Sequence, residues 1–349
     1  MRSVYVVLPG GIDDPGAPSG GNRYDRELCE GLGRTRDVYE IAVSAPWPRP
    51  PVPARDALAG ALQRLPDGAT VLLDGLVAGA VPDVVESAAA RLRMIVLVHL
   101  PLADETGLPP EEAGRLAALE RRTLLGAAEV ITTSAAAARQ LAGRYGVPAH
   151  RLHVAPPGVT PAPLANGTPD GTGLLCVAAV IPRKGQDVLL DALAMVDDLP
   201  WSCVCVGALD RAPEFAAAQR RRAGRVEFAG PRAGAALDTA YAGADLLVLP
   251  SHAETYGMVV TEALGRGIPV LATAVGGVSE ALGAAPDGTR PGVLVPPADP
   301  AALAAELRRW LTDPGWRDRL RASARSRREH LPGWDETVRR VSEVLDRDR

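Results

Sequence analysis

Short runs of β-branched and aliphatic residues alternate along this chain with segments of helical period, and no other feature limits its fold as tightly. In the first half the runs are VYVVLP from Val4, VYEIAV from Val38, TVLLDG from Thr70, MIVLVHL from Met94, EVITTS from Glu129 and LHVAPPG from Leu152. Helical spacing of apolar residues fills the gaps at 23–32, 81–91, 111–125 and 134–145. A parallel neighbour needs a long crossover, and a strand buried on both faces reads as a continuous apolar run. The pattern therefore predicts α/β architecture with parallel sheets.

The alternation stops at PPGVTPAPLANGTPDGTG, residues 156–173, where proline and glycine erase all periodicity. It then restarts with LLCVAAV, WSCVCVGA, VEFAG, ADLLVLPS, PVLATA and GVLVPP. The expected organisation is a Rossmann-like domain over 1–155, a linker over 156–173, a second Rossmann-like domain over 174–330 and a terminal helix over 331–349. Two such halves are expected to face each other across a cleft, with ligands at the carboxyl ends of the strands. The loops 11–22, 47–54 and 101–112 are expected to shape an acceptor entrance.

Composition removes several function classes. A net charge of −4 gives no basic field for nucleic acid. No apolar run is long enough to span a bilayer and the N-terminus lacks a signal-peptide pattern, so a cytoplasmic chain with at most peripheral membrane contact is expected. Cys29, Cys176, Cys203 and Cys205 form no CxxC, and three of them sit in strand runs, which predicts buried free thiols. The first turn lacks GxGxxG and the chain has no GxxxxGK[ST], which argues against a dinucleotide oxidoreductase and a P-loop enzyme. Asp13–Asp14 and Asp197–Asp198 lack the context of a metal-binding pair, and no metal or cofactor is expected.

Two stretches carry candidate chemistry. Lys184 is the one lysine among 38 basic side chains, and it stands beside Arg183 in VIPRKGQDVLL, between a strand and a helix. Adjacent cations at a strand's carboxyl end suit a diphosphate, although an RK pair can equally be ordinary surface. The second stretch is VLPSHAETYGMVVTEALGRGIPVLATAVGG, from Val248 to Gly277. A strand ends there in a polar loop, and a helix begins near Tyr256–Gly257. Its first amides, at Gly257, Met258 and Val259, are available to an anion. Glu254 precedes this helix and Glu262 lies about five residues into it, roughly 7–8 Å along the axis. That is about the step from a terminal phosphate to a ribose, though Glu262 could also simply face solvent.

The pair Glu254…Glu262 within PSHAETYGMVVTEALGRGIPVLAT resembles the Glu-x7-Glu signature of the retaining glycosyltransferases of family 4, which have the GT-B fold. RKGQDVLLDAL resembles that family's donor-phosphate corner. TTSAAAARQLAGRYGVPAHRLHVAPPGVTPAP and GVLVPPADPAALAAEL are similar to its interdomain run and the end of its second domain, and SGGNRYDREL, residues 19–28, to its first-strand glycine loop. In that family the terminal helix packs back toward the N-terminal domain.

The resemblance implies transfer of a sugar, of hexosyl type, from a nucleotide-diphosphate sugar to an acceptor hydroxyl, with retention and without metal. Arg183 and Lys184 would neutralise the diphosphate, Glu254 would hold donor-sugar hydroxyls and Glu262 the ribose. Tyr256, Gly257, Met258 and Val259 would line the distal phosphate. Gly20 and Gly21 would approach the donor phosphates or the acceptor, and His99 would sit beside the transferred sugar. Asn22, Arg23 and Asp74 are acceptor-side candidates. The donor would be a uridine or guanosine diphosphate sugar, the acceptor a small molecule, lipid-linked group or glycan. A GT-B sugar-nucleotide 2-epimerase and a non-catalytic nucleotide-sugar-binding protein are the alternatives.

Overall fold

The computed structural model describes residues 3–14 and 19–347; residues 15–18, part of the expected 11–22 loop, and the chain's outermost residues lie outside that description. Two compact units emerge. The first comprises residues 3–14, 19–158 and 334–347, the second residues 159–333.

The first unit holds strands β1 (Ser3–Pro9), β2 (Asp37–Val43), β3 (Thr70–Asp74), β4 (Arg93–Val98), β5 (Glu129–Thr132) and β6 (Leu152–Val154). They form one sheet in the order β2-β1-β3-β4-β5-β6. Every pairing is parallel. Side chains of β1 alternate between two cores, with Val4, Val6 and Leu8 on one face and Val7 on the other. All of β4 is buried, which is why its sequence shows no polar alternation.

The second unit repeats the plan. β7 (Gly173–Val177), β8 (Ser202–Val206), β9 (Val226–Gly230), β10 (Leu246–Leu249), β11 (Val270–Thr273) and β12 (Gly292–Val295) lie in the order β12-β11-β10-β7-β8-β9. Again all pairs are parallel. Strand order reverses between β1 and β3 in the first sheet and between β7 and β10 in the second. Neighbouring loops diverge at such a point, so each sheet leaves a crevice at the carboxyl ends of those two strands.

Three expectations change. The 47–54 segment is no open loop, because the helix Val52–Gln63 starts inside it. Pro53 misleads the sequence reading: a proline in the first turn gives up only an amide that has no helical partner anyway. SGGN forms the start of the helix Gly20–Gly33, capped by Ser19, in place of a glycine loop. The segment expected as a linker, 156–173, is anchored from Val159 onward to the second unit. The backbones of Ala165, Asn166 and Gly167 donate to Arg266 and Ala242 carbonyls, and Asp245 accepts from Thr168 and Gly173.

The helix Trp334–Leu345 returns to the first unit, where Val341, Val344 and Leu345 share a core with Tyr24, Leu28 and Leu32. Among the described residues no helix is long and apolar enough to cross a membrane. The four cysteines are free and buried.

Candidate active site

In the second unit the reversal point is occupied by Lys184 and Glu254. The corner after β7 is a 3-10 turn, Pro182–Lys184, followed by Gly185 at φ 67° and the helix Gln186–Ala194. A side chain at Gly185 would place its Cβ 2.2 Å from the carbonyl oxygen of Pro250, so only glycine lets this corner close on the end of β10. Backbone bonding locks the two loops together, with His252 N–H donating to the Arg183 carbonyl at 2.8 Å. The Arg183 guanidinium donates to the Ala253 carbonyl at 3.0 Å.

Lys184 Nζ then reaches Glu254 Oε1 at 2.5 Å, and Ser251 Oγ donates to the same oxygen at 2.7 Å. Among the described residues nothing bonds to Oε2, which leaves that oxygen for a ligand hydroxyl. Burial pushes the Glu254 carboxyl up, but the charge and hydrogen bond of Lys184, with Arg183 and Ser251 behind, win and hold it below the ordinary glutamate value. Glu254 is thus an ionised acceptor at neutral pH. A third loop supports it from behind: Gly276 at φ 47° passes so close that a Cβ would overlap the Glu254 carbonyl, which accepts from Gly277 N–H at 3.3 Å.

Gly257, at φ 91°, turns the chain into the helix Met258–Leu264, and Glu262 is its fifth residue. Glu262 Oε2 accepts from Tyr241 Oη at 2.8 Å, and Arg266 lies over the Tyr241 ring at 4.4 Å. The carboxylate is therefore oriented, where the sequence also allowed a free solvent-facing side chain. Tyr256 needs correcting. Its ring is packed into the apolar core at 6% exposure, so only its backbone could meet a donor. Met258 and Val259 are half-buried at the helix start.

The first unit has a second cluster, again at the reversal of strand order. His99 follows β4, Asp74 ends β3, and Asp25 lies on the helix after β1. His99 Nε2 is 2.8 Å from Asp25 Oδ1 and 3.7 Å from Asp74 Oδ2. Asp74 also caps the turn beginning at Gly75, accepting from Leu76 N–H at 2.6 Å. At 5% exposure it stands behind His99, away from any surface an acceptor could meet. Gly21 borders the imidazole, where a Cβ would lie 3.3 Å from His99 Cδ2, and Gly20 opens the same helix. The backbone N–H of Asn22 donates to Ser19 Oγ as part of the helix cap, and Arg23 lies 4.0 Å from Glu27 along the helix.

Asp25 is the member the sequence concealed. An aspartate among NRYDREL reads as a solvated helix position, yet it is 2% exposed, and its partner is 74 residues away. The three groups converge within 4.8 Å, a spacing a divalent ion could also use. The hydrogen bond between Nε2 and Asp25, with Asp74 held beside it by the Leu76 amide, is the arrangement of an acid–base cluster.

Two six-stranded parallel sheets, each with polar groups at its reversal point, define a GT-B protein. Residues 17–162 match the model of Glycosyltransferase Family 4 and residues 167–327 that of Glycosyl transferases group 1. The chain belongs to glycosyltransferase family 4. It is 33% identical over 270 residues to D-inositol 3-phosphate glycosyltransferase of Kineococcus radiotolerans, an alignment covering 69% of this chain and 62% of that relative. The chain thus spans less than two thirds of that relative's length. Among solved structures, sucrose-phosphate synthase of Thermosynechococcus elongatus superposes with a TM-score of 0.76 at 22% identity, over 99% of this chain and 98% of that one. HepE of Anabaena, solved with UDP-glucose, gives 0.74 at 19% identity, with 99% of both chains covered.

Proposed function

We propose that the protein transfers a hexosyl group from a nucleoside-diphosphate sugar to an acceptor hydroxyl, retaining the anomeric configuration and using no metal. The observation that carries this reading is the Lys184–Glu254–Ser251 cluster at the reversal point of the second sheet. It sets a cation suited to a diphosphate beside an ionised acceptor suited to sugar hydroxyls.

Lys184 has three donors and gives one to Glu254, leaving two for phosphate oxygens. With Arg183 it would offset the charge that grows on the diphosphate as the glycosidic bond breaks. These cations would do the work a metal does elsewhere. Glu254 Oε2 would accept from the donor sugar, Glu262 from the ribose, and the amides at Gly257, Met258 and Val259 would meet the distal phosphate. In the first unit, His99 and the backbone at Gly20 and Gly21 would serve the sugar and acceptor. No carboxylate is assigned as a covalent nucleophile. Attack from the leaving-group face, with the departing phosphate taking the acceptor proton, suits that set of groups. HepE was solved with UDP-glucose, which favours a uridine donor, and the relative acting on D-inositol 3-phosphate favours a small polar acceptor.

The test is nucleoside diphosphate release from a panel of sugar nucleotides, with and without acceptors, followed by the anomeric configuration of the product. Lys184→Ala and Glu254→Gln should each lower kcat by about 100-fold or more, a typical loss for a charge-stabilising group. Epimerisation of the donor, binding without turnover, or near-normal rates in both variants would sink the reading.

A further inference from the structure

The Asp25–Asp74–His99 cluster is more than a packing feature. A buried carboxylate is costly unless a cation or several donors face it. Asp25 is 2% exposed, and its Oδ2 is buried without a hydrogen-bond partner. Its Oδ1 has one partner, His99 Nε2. Asp74 cannot swing away, because its other oxygen is fixed by the Leu76 amide. Both carboxyl groups therefore converge on one ring nitrogen. Nδ1, the other ring nitrogen, bonds to nothing among the described residues, and the imidazole is 17% exposed.

The ring itself is held in place. Tyr24 packs edge-on against it at 5.0 Å, with its own hydroxyl donating to the Ala155 carbonyl at 2.9 Å. Gly21 lies on another side, with only van der Waals room between. Such a clamp fixes which nitrogen points inward.

We propose that Asp25 is the positioning residue of His99: its carboxylate, with the Asp74 carboxyl beside it, accepts the hydrogen bond of Nε2–H and keeps the ring an imidazolium that offers Nδ1–H to a bound substrate. The inference rests on the glycosyltransferase reading only for the identity of that substrate, whose oxygen would accept from Nδ1. It assigns His99 the role of cationic donor and removes it as a general base, since a base needs a free lone pair.

Proton balance supports the assignment. The titratable groups facing the ring are Asp25 and Tyr24 from the helix Gly20–Gly33 and Asp74 from the end of β3. Burial alone would lower the His99 pKa, but the charge and hydrogen bond of Asp25, then Asp74, raise it to about 9. Burial, and next the charge of Asp25, raise the Asp74 carboxyl. Tyr24 stays neutral, its phenol raised by burial and by Asp25. The His99 ring is thus held as an imidazolium at neutral pH, and the Asp74 carboxyl keeps its proton more readily than an ordinary aspartate. The proton on Asp74 would also supply the donor that Asp25 Oδ2 otherwise lacks.

The experiment is 15N NMR titration of the histidine rings in the full chain, with His99 assigned from a His99→Gln variant, in wild type, Asp25→Asn and Asp74→Asn. Asparagine can still accept from Nε2–H, so Asp25→Asn removes charge while retaining shape. The His99 midpoint is expected above its ordinary value in wild type. In Asp25→Asn it should fall by at least about one pH unit, a tenfold change in proton affinity. It should fall less in Asp74→Asn. The alkaline limb of the kcat profile should move with the midpoint, while donor KM stays nearly constant. A wild-type midpoint at or below the ordinary histidine value, a midpoint unmoved in Asp25→Asn, or a larger fall in Asp74→Asn overturns the proposal. The wild-type titration decides even if Asp25→Asn does not fold. Absence of transfer in wild type would sink the functional reading and leave the ring titration to judge Asp25 on its own.

Discussion

At Lys184 the shape of the cation matters as well as its charge. The ammonium sits 2.5 Å from a carboxylate whose side chain is 8% exposed, in a recess shared with Ser251. A planar guanidinium would need different angles to reach the same oxygen and a diphosphate together. Lys184→Arg should therefore lower kcat/KM by about tenfold or more with little change in melting temperature; unchanged turnover would mean that charge alone suffices. Lys184→Ala removes the counter-ion of a buried carboxylate, a change that typically costs about 3–5 kcal/mol. Because the Glu254 carboxyl is depressed in the folded chain, its share of stability is present above the ordinary glutamate pKa. It is lost as pH falls through the folded value. Lys184 and Glu254 were legible because each follows an apolar strand run, at the strand's carboxyl end. Asp25 was not, since a helical position shows its burial only when the partner strand is known, and the inward turn of a loop aromatic such as Tyr256 shows only in the folded chain.

Elements differ in how openly they announce themselves. Buried parallel strands write themselves as apolar runs, so every strand run in the sequence corresponds to a strand in one of the two sheets. Helix starts are less readable where proline leads, as at Val52. The helix Pro110–Gly126 also carries a device invisible to periodicity. Glu120, 1% exposed, accepts from Tyr145 Oη at 2.6 Å and from Leu102 N–H at 3.1 Å, fastening the loop that leaves His99. Burial pushes its carboxyl up to about 7, even against these two bonds. An unfolded chain releases that proton near the ordinary glutamate value, so Glu120 stabilises the fold fully below that value and loses its contribution as pH rises through about 7. The shift corresponds to about 3 kcal/mol. Glu120→Gln keeps an acceptor for both donors and cannot ionise. Its stability relative to wild type, measured by urea unfolding, should rise markedly between acidic and alkaline buffer. A difference that does not vary with pH would refute the assignment.

On the scale of the whole molecule, the chain leaves its first unit at Gly158 and comes back to it at Trp334. The returning helix is integral to that unit's core. Val341, Val344 and Leu345 are each at most 5% exposed, and burying side chains of this size contributes roughly 1.5–3 kcal/mol apiece. Arg93, buried at the start of β4, donates to the carbonyls of Val344 at 2.8 Å and Leu345 at 3.0 Å. It thus caps the helix with a cation where the helix dipole is negative. Thr337 Oγ1 adds a bond to the Pro156 carbonyl at 2.7 Å, and Arg36 pairs with Asp346 at 3.2 Å. Ending the chain after Gly333 would expose Tyr24 and Leu28 and take the carbonyls of Val344 and Leu345 away from the buried Arg93 cation. A loss of several kcal/mol is comparable to the whole stability of an ordinary domain, about 5–15 kcal/mol. The truncated chain should therefore lose hydrogen-exchange protection throughout the first sheet, β1 to β6, while β7 to β12 remain protected, because every strand of the second sheet lies within residues 159–333. Arg93→Met, a milder change, should lower stability by about 1–3 kcal/mol by orphaning two carbonyls. Uniform loss of protection in both sheets on truncation would show that the units are not energetically separate.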